Sequence, residues 1–152
     1  MKISLTLFSC SLAFGLAALV GCRSGTPGSM SHASVQIQSR STENIQQTTT
    51  AVFREQGYIL TKASSTEMIF DRPGTARDAA KWGGWSGQGV TMRVKVHQSN
   101  LGDGTSLLEA DAYAVQNSSD PFFQTESRNI TLNRVPYQSM LNEVASRLKT
   151  MQ

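Results

Sequence analysis

Val90-Thr91-Met92-Arg93-Val94-Lys95-Val96-His97 is the stretch of this chain that decides its fold. Its even positions are apolar and its odd positions are mostly polar, which is the period-two pattern of a strand with one buried face. A second strand-like segment, Leu107 to Val115, follows the turn-rich residues Ser99 to Gly104. We therefore predict an antiparallel hairpin with an apolar face toward a core and a polar face toward solvent.

Charge predicts the register of this hairpin. Pairing Lys95 with Glu109 also places Arg93 opposite Asp111, and opposite charges across an antiparallel pair are favourable. The same register sets apolar residues against one another: Met92, Val94 and Val96 against Ala112, Ala110 and Leu108. A slip of one residue would place charged side chains in the core.

Two helices are predicted at either end of the strand region. Ser41 is a suitable N-cap and Gly57 a suitable C-terminal stop, which gives a helix from Thr42 to Gln56. Pro136 suits the first turn of a C-terminal helix. The apolar residues of that second helix recur every three or four positions. They are Tyr137, Met140, Leu141, Val144, Leu148 and Met151.

Shorter segments complete the predicted sheet. Val35 to Gln38, Tyr58 to Thr61 and Met68 to Phe70 have strand character, and Phe122 to Ile130 is ambiguous. We predict one α+β domain over residues 35–152, an antiparallel sheet of four to five strands with two helices packed on one face.

The N-terminus has the pattern of an export signal. Lys2 supplies a positive charge, Ile3 to Leu19 is largely apolar and uncharged, and Leu19-Val20-Gly21-Cys22 follows. This tetrad resembles the lipobox of bacterial prolipoproteins, which is a Leu, a small or medium residue, Gly or Ala, and then Cys. An uncleaved membrane anchor and ordinary secretion are the alternatives.

The resemblance implies that Cys22 carries lipid, including palmitate, and that signal peptidase II recognises Leu19, Val20 and Gly21. Residues 1–21 would then be a signal peptide and residues 22–34 a flexible linker, in which His32 is expected to be solvated. Arg23, rather than Asp, follows the cysteine, which implies the periplasmic face of the outer membrane in a diderm host. No disulfide is expected, because Cys10 leaves with the signal and Cys22 is modified.

The Gly-rich segment from Lys81 to Gly89 holds both tryptophans of the chain. We predict Trp82 and Trp85 as candidate binding residues, since indoles contact protein partners, sugars and lipid interfaces. The alternative is that they cover an open end of the core. Trp82 is expected to be packed and Trp85 to face outward.

Composition and motifs exclude several functions. The formal net charge is only +3 and Lys and Arg form no run, so nucleic acid is not an indicated partner. No catalytic, cofactor-binding or metal-spaced motif occurs, and His97 falls on the polar strand face. No catalytic residue, metal site or cofactor is therefore predicted.

We expect a membrane-anchored bacterial envelope lipoprotein that acts as a non-enzymatic binding or assembly module for a protein partner. The alternative is a carrier of a small apolar or lipid ligand held between helices and sheet. A cavity lined by Met92, Phe70 and Leu141 would favour the carrier. A hydrolase is the third hypothesis, and convergent carboxylates in a cleft would favour it.

Overall fold

The computed structural model describes residues 32–38, 41–82, 89–102, 104–118, 120, 122–128 and 134–151. The elements in these ranges are, in chain order, β1 Ala33–Gln38, α1 Thr42–Glu55, β2 Ile59–Ala63, β3 Glu67–Pro73, α2 Ala76–Trp82, β4 Thr91–Gly102, β5 Thr105–Gln116, β6 Thr125–Arg128 and α3 Val135–Thr150. The predicted α+β class and antiparallel sheet are confirmed. The described sheet has six strands rather than four to five, accompanied by three helices rather than two.

The strands are ordered β1-β5-β4-β3-β2, and each neighbouring pair is antiparallel. Two short strands share the outer side of β5. β1 pairs with its first half, from Thr105 to Ala110, and β6 pairs with its last part, from Tyr113 to Gln116. The long central hairpin of β4 and β5 therefore organises the sheet, as its sequence pattern indicates.

The register of this hairpin differs from the prediction by two residues. Lys95 lies opposite Asp111 and His97 opposite Glu109, so the predicted pairs Lys95–Glu109 and Arg93–Asp111 are wrong. The position of the turn explains the difference. The two strands continue to the paired residues Gly102 and Thr105, whereas the alternating pattern predicts a first strand that ends near His97.

Two backbone features allow this long hairpin to close tightly. The register shifts between Asn100 and Gly102. Gly102 and Gly104 have positive φ values of 88° and 75°, a region that favours glycine. A shift of two residues keeps every side chain on its face, so the apolar prediction holds for Met92, Val94 and Val96, all of which are buried.

The main core lies between the sheet and the helices α1 and α3. Ser41 caps α1 by accepting a hydrogen bond from the Asn44 amide at 3.2 Å, and Gly57 follows the helix with φ +81°, as predicted. Both helices direct an apolar stripe at the same face of the sheet. The fully buried large side chains here include Ile45, Phe53, Met68, Phe70, Val94, Val96, Leu108, Leu141 and Val144.

The first strand begins earlier than predicted. β1 includes Ala33 and Ser34, both buried, which the sequence analysis placed in the linker 22–34. His32 is also fixed, since its amide donates to Asp111 Oδ1 at 3.0 Å and its ring packs edge-on against Tyr137. The expectation of a solvated linker histidine is therefore wrong, because pairing with β5 extends past the apolar alternation that marked the strand.

Candidate functional site

A groove opens between the C-terminal end of α1, one side of α3 and the end of the β2–β3 hairpin that holds Tyr58 and Arg72. Its volume is about 580 Å³. The lining residues are Val52, Glu55, Gln56, Tyr58, Arg72, Pro136, Tyr137, Ser139, Met140, Glu143 and Arg147. The groove exists because two helices meet above one end of a sheet without filling the space between them.

Two tyrosines form the wall nearest the core. Tyr58 follows the glycine that ends α1, and Tyr137 lies in the first turn of α3 beside Pro136. They are 4% and 5% exposed. Burial raises the pKa of the Tyr137 hydroxyl well above its ordinary value, and the neighbouring Tyr58 adds to this effect. The hydroxyl therefore stays protonated at neutral pH and can donate a hydrogen bond.

A guanidinium group lies beside these rings. Arg72, at the end of β3, stands 5.3 Å from the centroid of the Tyr58 ring, within the range of a cation–π contact. Its Nη1 donates to the Pro73 carbonyl at 3.2 Å, and its Nη2 lies 3.8 Å from Asp78 Oδ2. Burial acts to lower the pKa of Arg72, but Tyr58 and Asp78 more than offset it, so the group stays charged.

Backbone packing fixes the position of Arg72. The Gly74 amide donates to the Val90 carbonyl at 2.7 Å, which ties the end of β3 to the chain entering β4. A Cβ atom at Gly74 would lie only 2.6 Å from that oxygen, so the approach requires glycine. Asp78 is fixed as well, because it accepts from the amide and hydroxyl of Thr75.

The outer rim of the groove is charged and exposed to solvent. Arg147 donates to both carboxylate oxygens of Glu55 at 2.7 Å and to Glu143 at 2.8 Å. These hydrogen bonds hold the pKa of Glu55 below its ordinary value. Apolar Val52 and Met140 lie in the same groove. The site thus combines apolar surface with a few fixed polar groups, which is the usual composition of a binding groove.

The opposite face of the sheet carries an ion-pair network. Arg93 donates to both oxygens of Asp71 at 2.8 Å and to Glu126 at 2.5 Å. Lys95 donates to the second oxygen of Glu126 at 2.7 Å and stands over the ring of Tyr113. The partners of Arg93 therefore come from β3 and β6, and not from Asp111 as the predicted register required.

Carboxylates on this face are paired with cationic side chains. Burial acts to raise the pKa of Glu126, but hydrogen bonds from Lys95 and Arg93 outweigh it and the pKa lies below its ordinary value. Asp111 pairs with Arg128 at 2.6 Å. His97 is half exposed on the same face, as predicted, with Nε2 3.7 Å from Glu67. Paired carboxylates of this kind stabilise a surface and make poor general acids.

Trp82, at the end of α2, is partly buried against Val90, Met92 and Ala114. Lys81 lies over its ring, and the Gln116 side-chain amide donates to its carbonyl. This placement agrees with the expected packed position. Trp85 lies outside the described residues, so the binding role of the two tryptophans stays a prediction.

Leu19, Val20, Gly21 and Cys22 also lie outside the described residues. Within the ranges that are described, no helix is long and apolar enough to cross a membrane. The same ranges contain no group of three or more His, Cys, Asp or Glu side chains able to hold a metal ion.

Sequence reasoning missed the groove entirely. Tyr58 is predicted only as part of a strand and Tyr137 only as part of a helix stripe, and Arg72 is not singled out by the sequence. The signal available was the placement of two tyrosines beside helix ends, at Gly57 and Pro136. That signal becomes meaningful only once the crossing of α1 and α3 is known.

Comparison of the chain with protein-family models, with curated proteins and with solved structures gives no match.

Proposed function

We propose that this chain is a bacterial envelope lipoprotein anchored through Cys22, and that its folded domain is a non-enzymatic binding or assembly module for a protein partner. In a diderm host it would lie on the periplasmic face of the outer membrane. The observation that carries the proposal is the groove between α1 and α3. It offers fixed donors and apolar surface together.

The chemistry of the groove suits a polypeptide better than a wholly apolar ligand. Arg72 and the Tyr137 hydroxyl can hydrogen-bond carbonyl or carboxylate oxygens, while Met140 and Val52 offer apolar contact. Glu55 and Arg147 place a solvent-exposed ion pair at the rim, which resembles the polar rim of protein interfaces. These features favour a partner with alternating polar and apolar groups.

The carrier hypothesis receives less support. It requires space between helices and sheet, beside Met92, Phe70 and Leu141. These three side chains are fully buried, and the groove is lined by none of them. The described groove lies instead at the surface, with charged residues at its rim.

The hydrolase hypothesis also receives less support. Hydrolysis by paired carboxylates needs one carboxylic acid that holds a proton near neutral pH. Glu126 has a lowered pKa and is held by two cations. Both carboxylate oxygens of Asp71 accept hydrogen bonds from Arg93, one from Nε and one from Nη2.

Site-specific photocrosslinking in native envelopes tests the proposal. A photoreactive residue replaces Ser139, which is exposed and lines the groove. The matched control carries the same residue at His97, on the opposite sheet face. We expect a discrete protein adduct from position 139. Arg72→Gln should lower the yield of this adduct, while the melting temperature of the variant stays unchanged. Equal adducts from both positions, or none from position 139, would contradict the groove as the binding site.

Membrane fractionation tests the anchor separately. The full chain is expected to sediment with envelopes and to resist high salt, since two or three acyl chains on one cysteine give durable attachment. Cys22→Ser is expected to be released. A Cys22→Ser chain that stays with the membrane would contradict lipid anchoring.

A further inference from the structure

We propose that the loop between β5 and β6, which displays Phe122 and Phe123, contacts the lipid surface to which Cys22 is tethered. This inference rests on the lipid anchor of the proposed function. Phe122 is 94% exposed and Phe123 is 72% exposed. Two adjacent aromatic side chains in water form an apolar patch, and such patches mark interaction surfaces.

The loop is a built turn that presents both rings outward. Asn117 adopts a positive φ of 54°, and its side-chain amide donates to the Phe123 carbonyl at 3.3 Å. Asp120 accepts from the Phe122 amide at 3.0 Å, while its own amide donates to the Asn117 carbonyl at 3.0 Å. The side chains of Asn117 and Asp120 therefore bond to the backbone of the turn, and the two phenylalanines face solvent.

The position of the loop relates it to the anchored end of the chain. It lies beyond the pair Gln116–Thr125, at the end of the sheet where Gln116 also contacts Trp82. β1 runs away from this end, from Ala33 opposite Ala110 to Gln38 opposite Thr105. His32 and Ala33, where the described chain begins, therefore lie at the end of β1 that is nearer the Phe122–Phe123 loop.

The intervening chain is long enough to bring the lipid level with the loop. The His32 amide donates to Asp111, and the five residue steps from Asp111 to Gln116 span about 17 Å of strand. The ten residue steps from Cys22 to His32 reach up to about 35 Å when extended. The acyl chains on Cys22 can therefore lie at the same height as Phe122 and Phe123, with length to spare.

A lipid surface is the occupant that this arrangement favours. Phenylalanine is among the side chains that peripheral segments bury at the boundary between headgroups and acyl chains. The lipids on Cys22 already supply the attachment, so the loop acts at a high local concentration of membrane and needs little affinity of its own. The contact orients the domain: the end of the sheet that carries the Phe122–Phe123 loop faces the membrane, and the turn at Gly102 is directed away from it.

Depth-dependent quenching tests the inference. The lipidated full chain is purified with Phe123→Cys, labelled with an environment-sensitive fluorophore and reconstituted in phosphatidylethanolamine–phosphatidylglycerol vesicles with or without spin-labelled lipid. The matched control is Leu101→Cys, because Leu101 is an apolar residue 51% exposed at the opposite end of the sheet. We expect a blue shift and quenching at position 123, and neither at position 101.

Each other outcome overturns the inference and identifies what failed. If the protein floats with the vesicles but position 123 is not quenched, the anchor stands and the membrane contact is wrong. Equal quenching at 123 and 101 would show that the domain has no preferred orientation. A shift at position 123 in native envelopes but not in protein-free vesicles would assign the loop to a protein partner. A chain that does not float at all would overturn the lipid anchor together with the inference.

Discussion

Removal of one guanidinium group, by Arg93→Ala, should lower the free energy of unfolding by about 2 kcal/mol, the range of hydrogen bonds to charged groups. The substitution deletes three charge-assisted hydrogen bonds, two to Asp71 and one to Glu126. It also leaves two carboxylates close together on one sheet face. Lys95 can then compensate only Glu126.

The partial burial of the network determines the size of this loss in the free energy of unfolding. The Arg93 side chain is 16% exposed, and those of Asp71 and Glu126 are 17% and 25% exposed. Breaking a fully buried pair by removing one partner costs about 3–5 kcal/mol, whereas an exposed pair contributes about 0–1 kcal/mol. The network lies between these limits because solvent screens part of the interaction.

Arg147→Ala is the matched control. Arg147 also makes a two-pronged contact with a carboxylate, Glu55, at similar distances, but the two side chains are 34% and 53% exposed. We expect a clearly smaller loss there. Urea denaturation of both variants measures the midpoint, and the slope should stay constant if the transition remains two-state. Equal losses in the two variants would refute the argument from burial.

The difference between wild type and Arg93→Ala should also depend on pH. The pKa of Glu126 is lowered in the folded protein, so its contribution is present above the unfolded pKa, about 4.5, and is lost as pH falls through the folded value. Arg93 supplies part of that lowering. The stability gap should therefore be full at pH 7 and shrink below about pH 4.5 as Glu126 becomes protonated. A gap that widens in acid would contradict this assignment.

Three further predictions follow from single features. Cys22→Ser should abolish incorporation of radiolabelled palmitate, and equal labelling of both chains would contradict the lipobox. Truncation before Pro136 should unfold the domain, since α3 buries several large side chains worth about 1.5–3 kcal/mol each; an unchanged melting temperature would refute this. Trp82→Ala should lower stability in denaturation because the indole packs on Met92 and Ala114, and a change within about 0.5 kcal/mol would mark it as surface.

Local patterns predicted the elements well. The alternation from Val90 to His97 identified β4 and its buried face, and Ser41 with Gly57 gave α1 to within one residue of its end. These signals are short-range, since a strand period or a helix cap depends on neighbours in sequence. Pro136 likewise identified the start of α3.

The hairpin register and the start of the edge strand β1 could not be predicted from these local patterns. The hairpin register depended on how far the strands run past His97, and both registers keep the same residues inside. Hydrophobic patterning could therefore not separate them, and the charge argument favoured the wrong one. Ala33 and Ser34 were missed for a related reason, since the small residues of an edge strand carry little pattern.

The ion-pair network shows how non-local contacts determine what the sequence could not. The predicted register would have neutralised Arg93 within one hairpin. Its actual partners, Asp71 on β3 and Glu126 on β6, join three strands that are distant in sequence. β6 has only four residues and pairs with β5 alone.

Bonds from Arg93 and Lys95 to Glu126 therefore add to the backbone pairing that holds β6 against β5. The Phe122–Phe123 loop leads directly into β6, so the same network fixes the base from which that loop projects. The charged face therefore needs no catalytic role to explain it, because its ion pairs help to hold the short strand that positions the proposed membrane contact. The groove between α1 and α3 lies on the other face, so the two proposed contacts can be occupied independently.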